Sequence, residues 1–372
     1  MESILFPPTR AFALVDTEAL VQNHRILAER AQTGRKKAAL IAVVKANAYG
    51  HGAGIVIPAL YKAGCRHFAV ATLEEAIEAR GHAPDAAILI LGYTPPECAA
   101  QLAGLHLTQT VFSLSYARAL AREATARGLL LDVHLKVDCG MCRLGFSPRQ
   151  PDELPEAAGL TGLCPTALYT HLPLADLDPE VTRAQLSLFE RCRTALAHRG
   201  LPLPAHAAAS AAMLTLPDAC LDAVRPGIAL YGYPPVATDL ALRPALSLCA
   251  PLVQVREVPC GTAVGYGASF VTTRPSRIGV LAIGYADGFP RALADLPLTL
   301  LHGGRRYGVR MAGRICMDQA MVDLTDTPAA VGDTVVLWQD AGEVAKRLST
   351  IPYEVLTALS ARLLRKRGSA PC

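Results

Sequence analysis

The sequence predicts an α/β protein with an N-terminal (β/α)8 barrel of the TIM type and a C-terminal, mainly β domain. Three observations predict it. Apolar runs of strand length alternate with helix-like patterns eight times between Ala39 and Arg225, and strands with no polar face imply a parallel sheet covered by helices. Eight such units in about 190 residues suit a closed barrel better than an open doubly wound sheet, the second choice. After Tyr231-Gly232-Tyr233-Pro234-Pro235 the texture changes to long β-branched and alternating runs, as antiparallel strands require. The expected domains are residues 1–235 and 236–372, with residues 1–13 available to pack on the second.

The eight runs are ALIAVVK, HFAVA, AAILIL, LTQTVF, LLLDVHLK, CPTALY, PAHAAA and LDAVR. Helix starts fall between them: Thr72 with Glu75 three residues later forms a capping box, and Ser113 or Ser115 precedes ARALAREATARG. In the second domain SLCAPLVQVREV, SRIGVLAIGYA and QAMVDLTD read as strands, and His302-Gly303-Gly304-Arg305 as a hairpin turn. Ser349-Thr350 and Pro352 introduce a last helix expected to run to about Lys366.

Composition narrows the function. The chain has 372 residues, 51% hydrophobic and 18% charged, enough apolar material for two cores and no segment with the composition of a disordered tail. Its start, MESILFPPTR, lacks the basic flank and apolar run of a secretion signal. No apolar stretch reaches the roughly 18–20 residues of a membrane span. Eleven scattered cysteines suit a reducing compartment, so a cytoplasmic protein is expected. The net charge of +4 comes from mixed acidic and basic residues, without the basic stripe that binds nucleic acid.

Of only seven lysines, Lys45 closes the first apolar run, at the strand end where a barrel places its active site. Burial disfavours a charged amine, and a neutral amine can attack a carbonyl or take a proton. A lysine reaching from a strand end to solvent is the plainer alternative. Loops after the seventh and eighth strands commonly hold phosphate, and Ser210 and the turn Gly227-Ile228 fall there; Ser210 could equally cap a helix. Cys139 and Cys142 have C-x-x-C spacing, but no second pair stands at zinc-site distance, so no metal is expected. The glycine-rich GHGAG and VGYGASF lack the spacing of a dinucleotide loop.

The string AVVKANAYGHG, residues 42–52, resembles the cofactor-lysine signature of the alanine racemases. The resemblance continues through KVDCGMCRLG, Thr170-His171 with Ala175-Asp176, SAA, RPGIALYG, VGYG, IGYADG, GRICMDQ and PYE. It covers nearly the whole chain. It implies a pyridoxal 5'-phosphate-dependent homodimeric racemase with Lys45 and Tyr266 as the two bases, Tyr266 reaching in from the other subunit with Met317 and Asp318. Tyr49, Ser210, Gly227, Ile228 and Tyr353 would bind the phosphate. Arg225 would face the pyridine nitrogen and be hydrogen-bonded by His171, and Arg143 would meet the phenolic oxygen and the substrate carboxylate. Lys136 matches a lysine that is carbamylated in many members, and Asp176, Tyr285, Arg291 and Arg314 match the entrance channel. The implied reaction interconverts L- and D-alanine for cell-wall synthesis.

The match has departures. Ala209 stands where the family usually has Asn, Cys139 where Thr or Ser is common, HLPLAD replaces an HFA-type segment, and ARLLRKR replaces an R-V-P-R ending. Together they bear on substrate preference, so a racemase of serine or of small amino acids generally is the alternative. Tyr353 favours alanine, since the similar serine racemases of vancomycin-type resistance have Asn at that position. A decarboxylase of similar fold would need a glycine-triplet phosphate loop, and a non-enzymatic single-barrel cofactor-binding protein would have no β domain.

Overall fold

The structure is a computed structural model that describes residues 9–33, 37–150 and 152–369; expectations touching residues 1–8 lie outside them. The chain forms two compact units. One comprises residues 19–48 and 56–243, the other residues 1–18, 49–55 and 244–372.

In the first unit all eight expected runs form strands. They are Ala39–Val43, His67–Val70, Ala87–Ile90, Leu107–Val111, Leu131–Lys136, Leu163–Tyr169, Ala205–Ala209 and Ala223–Arg225, the first interrupted at Ile41. Every neighbouring pair is parallel. The interruption closes the barrel. Ala39 and Leu40 pair with Ala223 and Val224 of the eighth strand, while Ala42 and Val43 pair with Phe68 and Ala69 of the second. The connecting helices start where their caps lie: Thr72 Oγ1 accepts from Glu75 N, Ser113 Oγ from Tyr116 N, and the Asp178 carboxylate from Glu180 N and Val181 N ahead of Pro179–His198. Each such cap contributes about 1 kcal/mol to holding a strand-to-helix turn in place.

The second unit is built on the long strand Leu246–Val258. This strand pairs with Thr334–Trp338 and, after a bulge, with Ser276–Leu281, so six antiparallel strands close into a ring. Phe12–Val15 extends that sheet by pairing with Leu246–Cys249. At the expected hairpin His302 faces Arg305, with Gly303 and Gly304 both left-handed. Among the described residues no helix is long and apolar enough to cross a membrane.

The last helix departs from expectation. It spans only Pro352–Thr357, and Leu364–Arg367 is instead a strand parallel to Phe12–Val15. The cause lies in the arginines of the tail. The Arg365 guanidinium donates to the carbonyls of Leu359, Ser360 and Leu363, the first two of which a helix running to Lys366 would have bonded to its own amides. Arg362 is drawn aside to Asp287 and Asp318.

Candidate active site

Lys45 ends the first barrel strand, half-buried. The chain then makes one turn of left-handed helix: Ala46, Asn47, Ala48 and Tyr49 all have φ of 52–53°. Each such residue costs roughly 1–2 kcal/mol, so the turn must be held from outside. Ala48 N donates to Val44 O at 2.9 Å. Ala46 N donates to Glu75 Oε1 at 2.6 Å, and the other oxygen of that carboxylate accepts from Ala71 N at 2.7 Å. The Lys45 amine is pulled below the usual lysine range by burial and then by Arg143, with Glu75 opposing.

Lys136 ends the fifth strand, 5% exposed. Burial and then Arg143, Arg225 and Lys45 push it down to about 8, against Asp138. Between Lys136 and Arg143 the chain wraps around one carboxylate. Asp138 accepts from the backbone amides of Gly140, Met141, Cys142 and Arg143 at 2.8–3.1 Å. Those bonds hold its pKa below the ordinary carboxylate value despite partial burial. The motif KVDCGMCRLG is thus a loop organised by Asp138 to present Arg143, whose own side chain is exposed.

Arg225 ends the eighth strand, 4% exposed. Its partners correct the expected contact with His171. The guanidinium donates to His206 Nδ1 at 2.5 Å and to the carbonyls of His206, Thr170 and Ala207. Charge-assisted bonds of this kind contribute about 1.5–3 kcal/mol each, against several kcal/mol for burying the ion. Since arginine can only donate, His206 Nδ1 must accept, which leaves its Nε2 to donate to His134 Nδ1 at 3.0 Å. Burial and Arg225 hold both histidines neutral, His134 down to about 4. Tyr169 stacks on His206 with centroids 4.7 Å apart and shares a hydrogen bond with Thr110. His171 belongs to the same electrostatic cluster: burial and then Arg225, Arg143, Lys136 and Lys45 depress it to about 3. Sequence reading missed His206, His134 and Tyr169. The available signal was a histidine or tyrosine inside each of three adjacent, largely apolar strands.

After the seventh and eighth strands, Ser210 Oγ accepts from Gly227 N at 3.0 Å and Ala229 N at 3.4 Å. Ser210 is therefore not the cap of its helix; Ala209 holds that position without a side-chain bond. With both amides donating to its oxygen, the hydroxyl has its own proton free for an acceptor. Ile228 opens the short helix that follows Gly227. Asp176 is exposed, in the loop after the sixth strand.

The second unit carries the remaining residues. The rings of Tyr49 and Tyr353 lie 6.0 Å apart, and burial raises the Tyr49 phenol far above its ordinary value. Gly50 fixes this pair: a Cβ there would stand 2.0 Å from Leu356 O, and Gly50 O accepts from Arg365 Nε. Tyr266 is 68% exposed between Gly265 and Gly267, both left-handed. A Cβ on Gly267 would meet the Arg314 guanidinium at 3.2 Å. Tyr285 and Ala286 donate backbone amides to Cys316 O and Met317 O, tying the exposed Tyr285 and Met317 to one surface. The neighbouring Asp318 is held by Arg362 at 2.8 Å, and the same arginine bonds the buried Asp287. Arg291 is exposed on the next short helix.

A parallel barrel with an amine ending its first strand and buried cations ending its fifth and eighth, in a chain that also carries a β unit, defines an amino-acid racemase fold. Comparison with known proteins makes this specific. The family models for the alanine racemase N-terminal and C-terminal domains match residues 15–235 and 245–367. The alanine racemase of Desulfosudis oleivorans is 38% identical over 95% of this chain and 96% of its own. Among solved structures, alanine racemase from the D-cycloserine producer Streptomyces lavendulae superposes with a TM-score of 0.87 at 34% identity, covering 98% of both chains. That of Bacillus anthracis with bound L-Ala-P gives 0.85 at 30% identity, covering 96% of this chain and 95% of its own. The chain belongs to the alanine racemase family and is an isomerase.

Proposed function

We propose that this protein interconverts L- and D-alanine using pyridoxal 5'-phosphate held on Lys45, with Lys45 and Tyr266 of the partner subunit as the two bases. The observation that carries the reading is the cluster of Lys45, Lys136 and Arg225 at barrel strand ends with Arg143 on the loop after the fifth strand. Four cations so placed call for an anionic ligand. A phosphate, a phenolic oxygen and a substrate carboxylate fit them, and the Ser210 hydroxyl with the Gly227-Ile228 turn fits the phosphate in particular. By the family resemblance Tyr49 and Tyr353 would also bind the phosphate, and His171 would stand near the ring.

Bound there, the cofactor supplies an electron sink that acidifies the substrate α-proton. Arg225 can donate to a ring nitrogen but, charged even at its lowered pKa of about 10, does not hand over its proton. The sink is therefore weak, which favours plain proton exchange over decarboxylation. Arg143 binds and orients the carboxylate with its planar fork. The depressed amine of Lys45 moves the proton on one face of the α-carbon, and the Tyr266 phenol serves the other. Met317 and Asp318 of the partner subunit bound the substrate; Asp176, Tyr285, Arg291 and Arg314 line the way in. A cytoplasmic homodimer supplying D-alanine for peptidoglycan accords with this reading.

Lys136 is proposed to be carbamylated. An amine titrating near 8 is partly neutral at physiological pH and able to add carbon dioxide, and the product replaces a repelled cation beside Arg143 with an anion. Protein equilibrated with 13C-bicarbonate should give a bound carbamate resonance that Lys136→Ala removes. Its persistence in that variant would reject the assignment.

The reaction is tested by incubating the purified, cofactor-loaded protein with pure L-alanine and pure D-alanine and following the enantiomer ratio. Both should converge on equal amounts; a ratio that never moves would reject the reading. The same assay examines Tyr353, whose ring narrows the pocket and offers the serine hydroxyl no amide partner. For Tyr353→Asn, kcat/KM for serine relative to alanine is expected to rise roughly 10–200-fold. An unchanged ratio would show that Tyr353 does not set specificity.

A further inference from the structure

We propose that Glu75 is a positioning residue for the reaction: its carboxylate clamps the left-handed turn that follows Lys45 to the N-terminus of the helix Leu73–His82. The inference rests on the assignment of Lys45 above. Its geometry is independent of it.

The Thr72/Glu75 pair has the sequence of a capping box, in which the glutamate would fold back on the amide of the cap residue. Only half of that box forms. Thr72 Oγ1 accepts from Glu75 N at 3.3 Å, but the Glu75 carboxylate instead spans two strand ends, accepting Ala71 N at 2.7 Å and Ala46 N at 2.6 Å. Ala71 follows the second barrel strand and Ala46 follows the first, so one side chain fixes the exits of two neighbouring strands. Ala46 is also the first of four consecutive non-glycine residues with positive φ. Such a run has no intrinsic stability in an L-chain, and the amide that enters it is the one Glu75 holds. Loss of that bond releases the turn at the residue adjoining Lys45.

Charge reinforces the geometry. Arg143 disfavours the charged Lys45 amine, Glu75 favours it, and Lys136 lies in the same cluster. A carboxylate is needed because both amides donate. In glutamine one arm would be an NH2 facing the Ala71 N–H, donor against donor, while the other could still accept from Ala46.

Glu75→Ala and Glu75→Gln test this in the full-length chain. A misplacement of about 1 Å at a reacting group costs roughly 10²-fold, so kcat for alanine should fall about 10–100-fold in Glu75→Ala and by less in Glu75→Gln, with KM changing less than kcat. The second readout uses the cofactor-free protein: competitive acetylation read by mass spectrometry gives the reactivity of Lys45 relative to the exposed Lys62. That ratio should change in Glu75→Ala and return toward wild type in Glu75→Gln, with thermal unfolding of the glutamine variant near wild type. Wild-type kcat and a wild-type acetylation ratio in the glutamine and alanine variants would overturn the proposal. Equal loss in both variants would also overturn the clamp, since the retained acceptor would then count for nothing. If Lys45→Ala itself proves active, it is the assignment of Lys45 that fails.

Discussion

Lys45→Ala is expected to abolish racemisation, lowering kcat/KM by more than about 10⁴-fold. A general base alone contributes roughly 10²–10⁴-fold, and this substitution removes the cofactor's covalent anchor as well. The fold should survive. Lys45 is half-buried at a strand end, and Arg143 disfavours its charge, so removing the amine relieves repulsion and leaves no buried partner unsatisfied. The thermal midpoint of the cofactor-free variant should therefore match or exceed that of the cofactor-free parent. Retained activity, or a collapse in stability, would contradict the account of this residue.

Mixing two dead variants is expected to restore activity. Tyr266 is exposed on the second unit, as a residue serving another subunit must be in an isolated chain. If it acts across a dimer, a pairing of Lys45→Ala with Tyr266→Phe contains one doubly defective site and one intact site. Random reassortment makes about half the dimers mixed, so activity should approach about a quarter of wild type. The assay is to unfold, mix and refold the two variants, establish mixed dimers by mass, and measure racemisation. Mixed dimers that form but stay inactive would refute a base acting in trans.

The barrel was legible because its strands are buried on both faces and read as unbroken apolar runs. For the same reason Lys45 stood out, as a cation closing such a run, whereas Lys136 was found only through the family resemblance. What escaped the sequence was decided by contacts distant along the chain. His206 holds Arg225 because three strands bring His134, Tyr169 and His206 together, a juxtaposition that no single strand reveals. Glu75 has the sequence of a local cap, yet Ala46, a neighbour in space, outcompetes the local partner. The last helix goes no further than Thr357 because the Ser360 amide donates to Asp287 O rather than back along the helix, and Arg365 takes the carbonyls of Leu359 and Ser360 beyond it, which periodicity cannot foresee.

The central claim is that Lys45 holds the cofactor, and borohydride reduction of the loaded protein followed by peptide mapping tests it most directly. Reduction fixes a pyridoxyl group to whichever lysine carries it, among only seven in the chain. The label is expected on Lys45, and it should be lost in Lys45→Ala. A label on Lys136 or any other lysine would contradict that claim.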